Sequence, residues 1–199
     1  MKYIRILITC VVIALILSPT PVLAHLVTTG MGPVYDGIGH LILTLEDLIP
    51  ACAIALYAGV LGSSAGRQTL FIFPAAWFVG GIAGILSGIS NTLPMPAVSF
   101  IIIGLLIAAE MHLSSVLLVL LLSLIGGIHG FLNGVAIKDG PSILGIVGIS
   151  AALFVIVALV SSSIHVLKPP WTRIVVRIFG GWITAMGILL IGWSINSMS

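Results

Sequence analysis

The chain contains very little charge. Of its 199 residues only 6% are charged, divided between seven basic and five acidic side chains. So few charges cannot cover a water-exposed surface when 60% of the residues are hydrophobic and the mean hydropathy is +1.35. The net charge of +2 and the scattered basic residues also argue against a phosphate-binding face, so no nucleic-acid partner is expected. The composition is that of a polytopic membrane protein surrounded by membrane lipid.

Cysteines and catalytic motifs are equally scarce. Cys10 lies in the N-terminal leader and Cys52 in an apolar run, so no disulfide can form within one chain once the leader is removed. No glycine-rich run is followed by Lys-Ser or Lys-Thr, and neither His-Glu-x-x-His nor Gly-x-Ser-x-Gly occurs. We therefore expect neither an enzyme nor a bound prosthetic group.

Residues 1–24 have the pattern of a secretory signal peptide. Lys2 and Arg5 precede an apolar run, Ile6–Leu17, and small residues lead up to Ala24. An uncleaved transmembrane helix is the alternative, but about twelve apolar residues fall short of the roughly 20 that a span needs. Cleavage after Ala24 makes His25 the first mature residue and places the mature N-terminus outside the cytoplasm.

Residues 25–199 are predicted to form one all-α domain, a transmembrane bundle of about six spans. Six apolar runs are separated by short polar breaks, none of which is long enough to be a separate domain. The runs are Leu41–Leu61, Leu70–Ile89, Ala97–Ala109, Leu113–Leu132, Ser142–Val166 and Val175–Ile195. The third is short for a crossing.

The basic residues set the expected orientation, because short cytoplasmic loops are enriched in lysine and arginine. With the mature N-terminus outside, Arg67, Lys168, Arg173 and Arg177 fall inside and only Lys138 falls outside. This predicts a multi-pass membrane protein with an acidic, histidine-bearing outer end.

Two polar clusters are candidates for a metal site at that outer end. If residues 36–47 are helical, Asp36, His40 and Asp47 fall at about 0°, 40° and 20° around the axis, at roughly 100° per residue. His129 and Asn133 lie one turn apart on a later span. We expect the two clusters to meet, with His40 facing His129 and neither histidine anchoring a packed core.

Imidazole and carboxylate ligands suit nickel, cobalt or zinc, whereas magnesium prefers oxygen atoms and retained water. His25 adds a further candidate, because a terminal amino group and its imidazole can chelate a metal together. Each residue also has a structural alternative: a hydrogen bond between helices for His129 and Asn133, a solvated helix start for Asp47, and a frayed terminus for His25.

The order of these features resembles the HupE/UreJ family of bacterial membrane proteins. That family's first motif runs approximately His-Pro-x-x-Gly-x-Asp-His, and Gly37 and His40 match it, with Pro33 and Gly39 in place of the first His and the Asp. The second motif reads approximately His-Gly-Tyr-Ala-His-Gly followed by Glu. The segment 129–134 matches it at both glycines and the first His, but Asn133 replaces the second His and no Glu follows. The chain looks like a divergent member.

The resemblance implies a permease of the bacterial inner membrane that carries nickel or cobalt as cargo, and the ligand types alone also allow zinc. A second hypothesis, from a different class, is a non-transporting membrane subunit that anchors or assembles a metalloenzyme such as hydrogenase or urease. A maturation partner of that kind, or a homo-oligomer, is compatible with either hypothesis.

Overall fold

The computed structural model describes residues 28–89, 96–166 and 170–198. These residues form seven α-helices and no strand, which confirms the all-α prediction for this part of the chain. The helices are α1 (Pro33–Leu43), α2 (Leu45–Leu61), α3 (Ser63–Leu86), α4 (Pro96–Ala108), α5 (Ser115–Ile137), α6 (Ser142–Val166) and α7 (Pro170–Met198). The predicted signal peptide and His25 lie outside the described residues.

The helices have the length and apolar composition of a multi-pass membrane protein. Among the described residues, α3, α5, α6 and most of α7 are each long and apolar enough to cross a membrane. Helices α1 and α2 pass the same test only together, as a pair bent by 80°. Helix α4 has 13 residues, which is short for a crossing. The described residues thus provide four candidate spans, or five with the bent pair, so the predicted count of six is not confirmed.

The first predicted span is interrupted at Thr44, where the chain leaves helical geometry with φ −90° and ψ 92°. The break has a local cause in the sequence, because Glu46 and Asp47 directly follow it and acidic side chains stabilise the first turn of a helix. The prediction that Asp36 and Asp47 share one face of one helix is therefore wrong. The two carboxylates belong to helices that point in different directions.

The other boundaries differ from the prediction mainly at helix ends. The fifth run is helical over the predicted Ser142–Val166. The fourth run was predicted to end at Leu132, but α5 continues to Ile137 because the glycines and Asn133 that follow Gly126 do not interrupt its apolar packing. This extension places both His129 and Asn133 within a continuous helix.

Glycines bring several pairs of helices into backbone contact. In the pair α3 and α5, a Cβ built on Gly130 would overlap the backbone of Trp77, and one on Gly134 would overlap that of Gly81. Gly37 in α1 meets α6 in the same way, and Gly104 in α4 meets α7. Such close packing lets helices associate where lipid provides no hydrophobic drive. The bundle is therefore assembled from tightly packed helix pairs.

Hydrogen bonds between segments show which helix ends lie together. At one end Lys138 donates to the carbonyl of Ile89, 3.0 Å away, next to the C-termini of α3 and α5. At the other end Tyr57, near the C-terminus of α2, donates to the carbonyl of Met111 beyond α4 at 2.7 Å. We call these the Lys138 end and the Tyr57 end. Asp47, near the start of α2, and His129, near the end of α5, lie towards the Lys138 end.

Candidate functional site

The site is built around His129, which lies in the second half of α5. Ser114 caps the helix by accepting a hydrogen bond from the backbone N–H of Leu117, and a leucine-rich segment then forms its first half. His129 and Asn133 follow that segment and are one helical turn apart, so they project from the same face of α5. His129 is 0% exposed and Asn133 is 3% exposed. Both therefore point into the bundle.

Asp47 reaches these two residues from the first turn of α2. Its Oδ1 lies 2.8 Å from Nδ1 of His129. Its Oδ2 accepts a hydrogen bond from Nδ2 of Asn133, also at 2.8 Å. The same Asn133 nitrogen donates to the backbone carbonyl of His129 at 3.0 Å, which fixes the amide in place. Asp47 is 5% exposed, so its carboxylate is buried together with its partners.

Ser99, in the first turn of α4, occupies the other side of the imidazole. Its Oγ lies 2.8 Å from Nε2 of His129 and 2.7 Å from the carbonyl oxygen of Pro96, and its single hydrogen can be donated to either. We call Asp47, Ser99, His129 and Asn133 the His129 network. It joins three helices, α2, α4 and α5, through side chains distant in sequence.

The hydrogen-bond partners determine which ring nitrogen is available. An ionised carboxylate only accepts, so Nδ1 of His129 must carry the hydrogen that is shared with Asp47. In the neutral imidazole this leaves the lone pair on Nε2, facing Ser99. A carboxylate that orients a histidine so that its far nitrogen can bind a metal is a recurrent arrangement in metalloproteins. The network thus presents Nε2 as the nitrogen with ligand character.

Two polar atoms beside the network are buried without a hydrogen-bond partner among the described residues: Oδ1 of Asn133 and Nε1 of Trp77. The Trp77 ring, on α3, lies against the imidazole of His129 with centroids 5.2 Å apart and planes 30° from parallel. Buried polar atoms are normally paired, so an unpaired amide oxygen next to a buried carboxylate marks a place where a further polar group fits.

The structure assembles only part of the predicted set. It brings together His129, Asn133 and Asp47, but the carboxylate of Asp36 instead accepts from the backbone N–H of Thr29 and, at 2.7 Å, from its hydroxyl. His40 is buried on α1, which packs mainly against α6, whereas α5 packs mainly against α3. The helices that carry His40 and His129 do not pack extensively on each other, so a shared site stays a prediction.

Within residues 28–89, 96–166 and 170–198, no group of three or more His, Cys, Asp and Glu side chains is arranged to hold a metal ion. The His129 network has one histidine and one acid, completed by an amide and a hydroxyl. The expectation that His129 does not anchor a packed core is also wrong. It is one of the largest fully buried side chains of the described residues, and its ring contacts Trp77.

Sequence reasoning missed Ser99 and Trp77. Ser99 was placed in the third apolar run, where a single hydroxyl gives no periodic signal. The available signal was its position within one turn of Pro96, because a polar residue at a helix start near the predicted outer end lies level with His129. Nothing in the sequence distinguishes Trp77 from the other three tryptophans.

Comparison with known proteins identifies the family. No curated protein and no solved structure matches the chain. The family model described as HupE / UreJ protein matches residues 13–190, which includes α1 to α6, most of α7 and every residue of the His129 network. The chain is therefore a member of the HupE/UreJ family.

Proposed function

We propose that this protein is a permease that carries a divalent transition-metal cation, nickel or cobalt, across the bacterial inner membrane and binds it transiently at His129. It acts without chemical change to its cargo. The observation that carries the proposal is the buried pairing of Asp47 with Nδ1 of His129, which leaves Nε2 as a ligand atom.

The cost of burial supports a functional role for this pair. Ionisable side chains inside a membrane bundle are expensive and typically mark ion pathways. Asp47 and His129 are 5% and 0% exposed, in a chain with only five acidic residues and five histidines. Packing alone would be served as well by apolar residues, since a buried ionised or polar group seldom stabilises a protein more than a well-packed hydrophobic replacement.

The donor set favours the proposed class of cation. An imidazole nitrogen suits nickel, cobalt and zinc, whereas magnesium and calcium prefer oxygen ligands. Nε2 of His129 is a single protein nitrogen, and the hydroxyl of Ser99 lies against it. A site with one nitrogen ligand is weak, and a weak site suits a permease, because conduction requires that the ion also leaves.

Family membership supports the proposed function. HupE/UreJ membership suggests either a metal transporter or a membrane protein associated with urease or hydrogenase.

Inward transport follows if the Lys138 end faces outward, as the distribution of basic residues predicts. Cysteines introduced at Asp139 and Ser64, both exposed and at opposite ends, test this orientation with an impermeant thiol reagent. We expect labelling at residue 139 and none at residue 64 in intact spheroplasts.

Uptake into proteoliposomes tests the function itself, with nickel, cobalt, zinc and magnesium compared at equal concentration. We expect uptake of nickel or cobalt, no uptake of magnesium, and a loss of at least about tenfold in His129→Ala per folded protein, since loss of a histidine ligand or its oriented partner costs on this order. His112→Ala is the matched control, because His112 is exposed at the Tyr57 end. Equal uptake by His129→Ala and the unmodified protein would reject His129 as the binding site, and absence of uptake of any of the four ions by the unmodified protein would favour the assembly-subunit hypothesis.

A further inference from the structure

Two of the seven helices, α4 and α7, pack closely on each other and only along one side of the remaining five. Helices α4 and α7 contact each other at backbone distance: a Cβ on Gly104 would overlap Thr184, and one on Gly180 would lie 2.7 Å from the backbone nitrogen of Ala108. Beyond this pair, their only extensive helix contacts within the described residues are with α2. The other five helices contact one another along several shared faces. The pair of α4 and α7 is thus a separate unit attached along one side.

Ser99 links this unit to the rest of the bundle at the buried site. Helix α4 and helix α5 do not pack extensively on each other, yet Ser99 Oγ and His129 Nε2 lie 2.8 Å apart. Ser99 is 7% exposed and His129 is 0% exposed, so this contact closes the site on the Nε2 side. A cation can reach that nitrogen only if the serine moves away.

The serine has an alternative partner ready. A hydroxyl has a single hydrogen, so Ser99 cannot donate to Nε2 of His129 and to the carbonyl of Pro96 at once. Both acceptors are within reach, at 2.8 Å and 2.7 Å. When a cation takes the Nε2 lone pair, the hydroxyl donates to Pro96 within its own helix and remains satisfied. Exchange of one partner for the other therefore leaves no buried donor unpaired.

Ser161 shows the contrast. It is 8% exposed, and its hydroxyl donates to the carbonyl of Val157 one turn back in α6. It thus shares the burial and the backbone bond of Ser99 but faces no histidine in any hydrogen bond described for it. It provides a matched control for any change made at Ser99.

We propose that Ser99 occupies the ligand position on Nε2 of His129 in the cation-free protein, and that α4 and α7 move away together when a cation replaces it. This inference rests on the proposed function and adds a gate to the same site. Ser99 is a positioning residue: its hydroxyl covers Nε2 of the imidazole, while Asp47 holds Nδ1 on the other side of the ring.

Spin labels on lipid-facing positions test the movement in the full chain with Cys10 and Cys52 replaced. One pair joins Ile102 on α4 to Leu120 on α5, and a control pair joins Val79 on α3 to Leu120. Zinc is the probe, because it is diamagnetic and suits an imidazole ligand. Zinc binding is measured by equilibrium dialysis on the same samples.

We expect zinc to lengthen the distance between residues 102 and 120 and to leave the distance between 79 and 120 unchanged. Ser99→Ala should show the longer distance without zinc, whereas Ser99→Thr and Ser161→Ala should behave like the unmodified protein. His129→Ala should not respond to zinc. Bound zinc with an unchanged distance between 102 and 120 overturns the gate alone, and failure of the same samples to bind zinc, nickel or cobalt in equilibrium dialysis overturns the proposed function as well.

Discussion

The carboxylates of Asp36 and Asp47 begin close together in the sequence and end in different situations. Asp36 is bonded by Thr29, seven residues earlier, in a partly buried position at the start of α1. Asp47 is bonded by His129 and Asn133, more than eighty residues later, in the interior of the bundle. The first carboxylate orders a local turn, and the second joins two helices that the sequence separates widely.

The break at Thr44 produces this difference. Had α1 continued into α2, the two carboxylates would have shared a face, as the periodicity predicted. The bend of 80° instead directs the start of α2 towards α5, so that only Asp47 reaches the buried histidine. The position of a helix break therefore decides which acid belongs to the site.

Removing each carboxylate in turn should give the largest contrast. Asp47→Ala leaves the Nδ1 hydrogen of His129 and the amide of Asn133 without their acceptor, and each buried donor left unpaired costs about 1–3 kcal/mol. Asp36→Ala removes bonds at a partly exposed site, where water can replace them, and should cost much less. Thermal unfolding in detergent measures both. Equal losses would show that burial in the bundle does not separate the two acids.

Two glycines of α5 test how closely the His129 network depends on helix packing. Gly130→Ala places a methyl group against the Trp77 backbone, and overpacking of this kind costs about 2–3 kcal/mol. A Cβ on Gly127 would point into open space, so Gly127→Ala should leave the stability unchanged or raise it by up to about 1 kcal/mol through helix propensity. Nickel uptake should fall only in Gly130→Ala. Loss of uptake in both variants would indicate that α5 needs flexible glycines rather than close contact.

These contrasts also show what the sequence could predict. Hydropathy and composition were sufficient for the all-α membrane class, because long apolar runs depend on local sequence alone. The motif around His129 pointed to Asn133 as its companion, since one helical turn is a local distance. The pairing of His129 with Asp47 and Ser99 could not be derived in the same way, because it depends on how three helices cross. Helical periodicity did select Asp47, but it grouped this residue with Asp36 and His40 and did not indicate its bond to His129.

A change of Asn133, whose amide donates to Asp47, should have an intermediate effect. Asn133→Leu keeps a similar volume but leaves Oδ2 of Asp47 without the bond from Nδ2, which should cost about 1–2 kcal/mol. Uptake should fall because Asp47 then holds His129 less firmly. Asn133→His restores a donor to Asp47 and should retain more uptake than Asn133→Leu when both are normalised to folded protein. The reverse order would indicate that Asn133 acts by volume and not by its hydrogen bond.

The smallest effect should follow from changing the partner of Asp36. Thr29→Val removes the hydroxyl that donates to Asp36 and keeps both the shape of the side chain and the backbone N–H, which also donates to that carboxylate. The loss of one of two hydrogen bonds at a partly buried site should cost about 0.5 kcal/mol. Uptake should not change, because the His129 network contains neither residue. The test is nickel uptake of Thr29→Val beside Asn133→Leu, each the partner of one carboxylate. If Thr29→Val reduces uptake as much as Asn133→Leu, then α1 contributes to the path of the ion, and Asp36 with His40 must be added to the site.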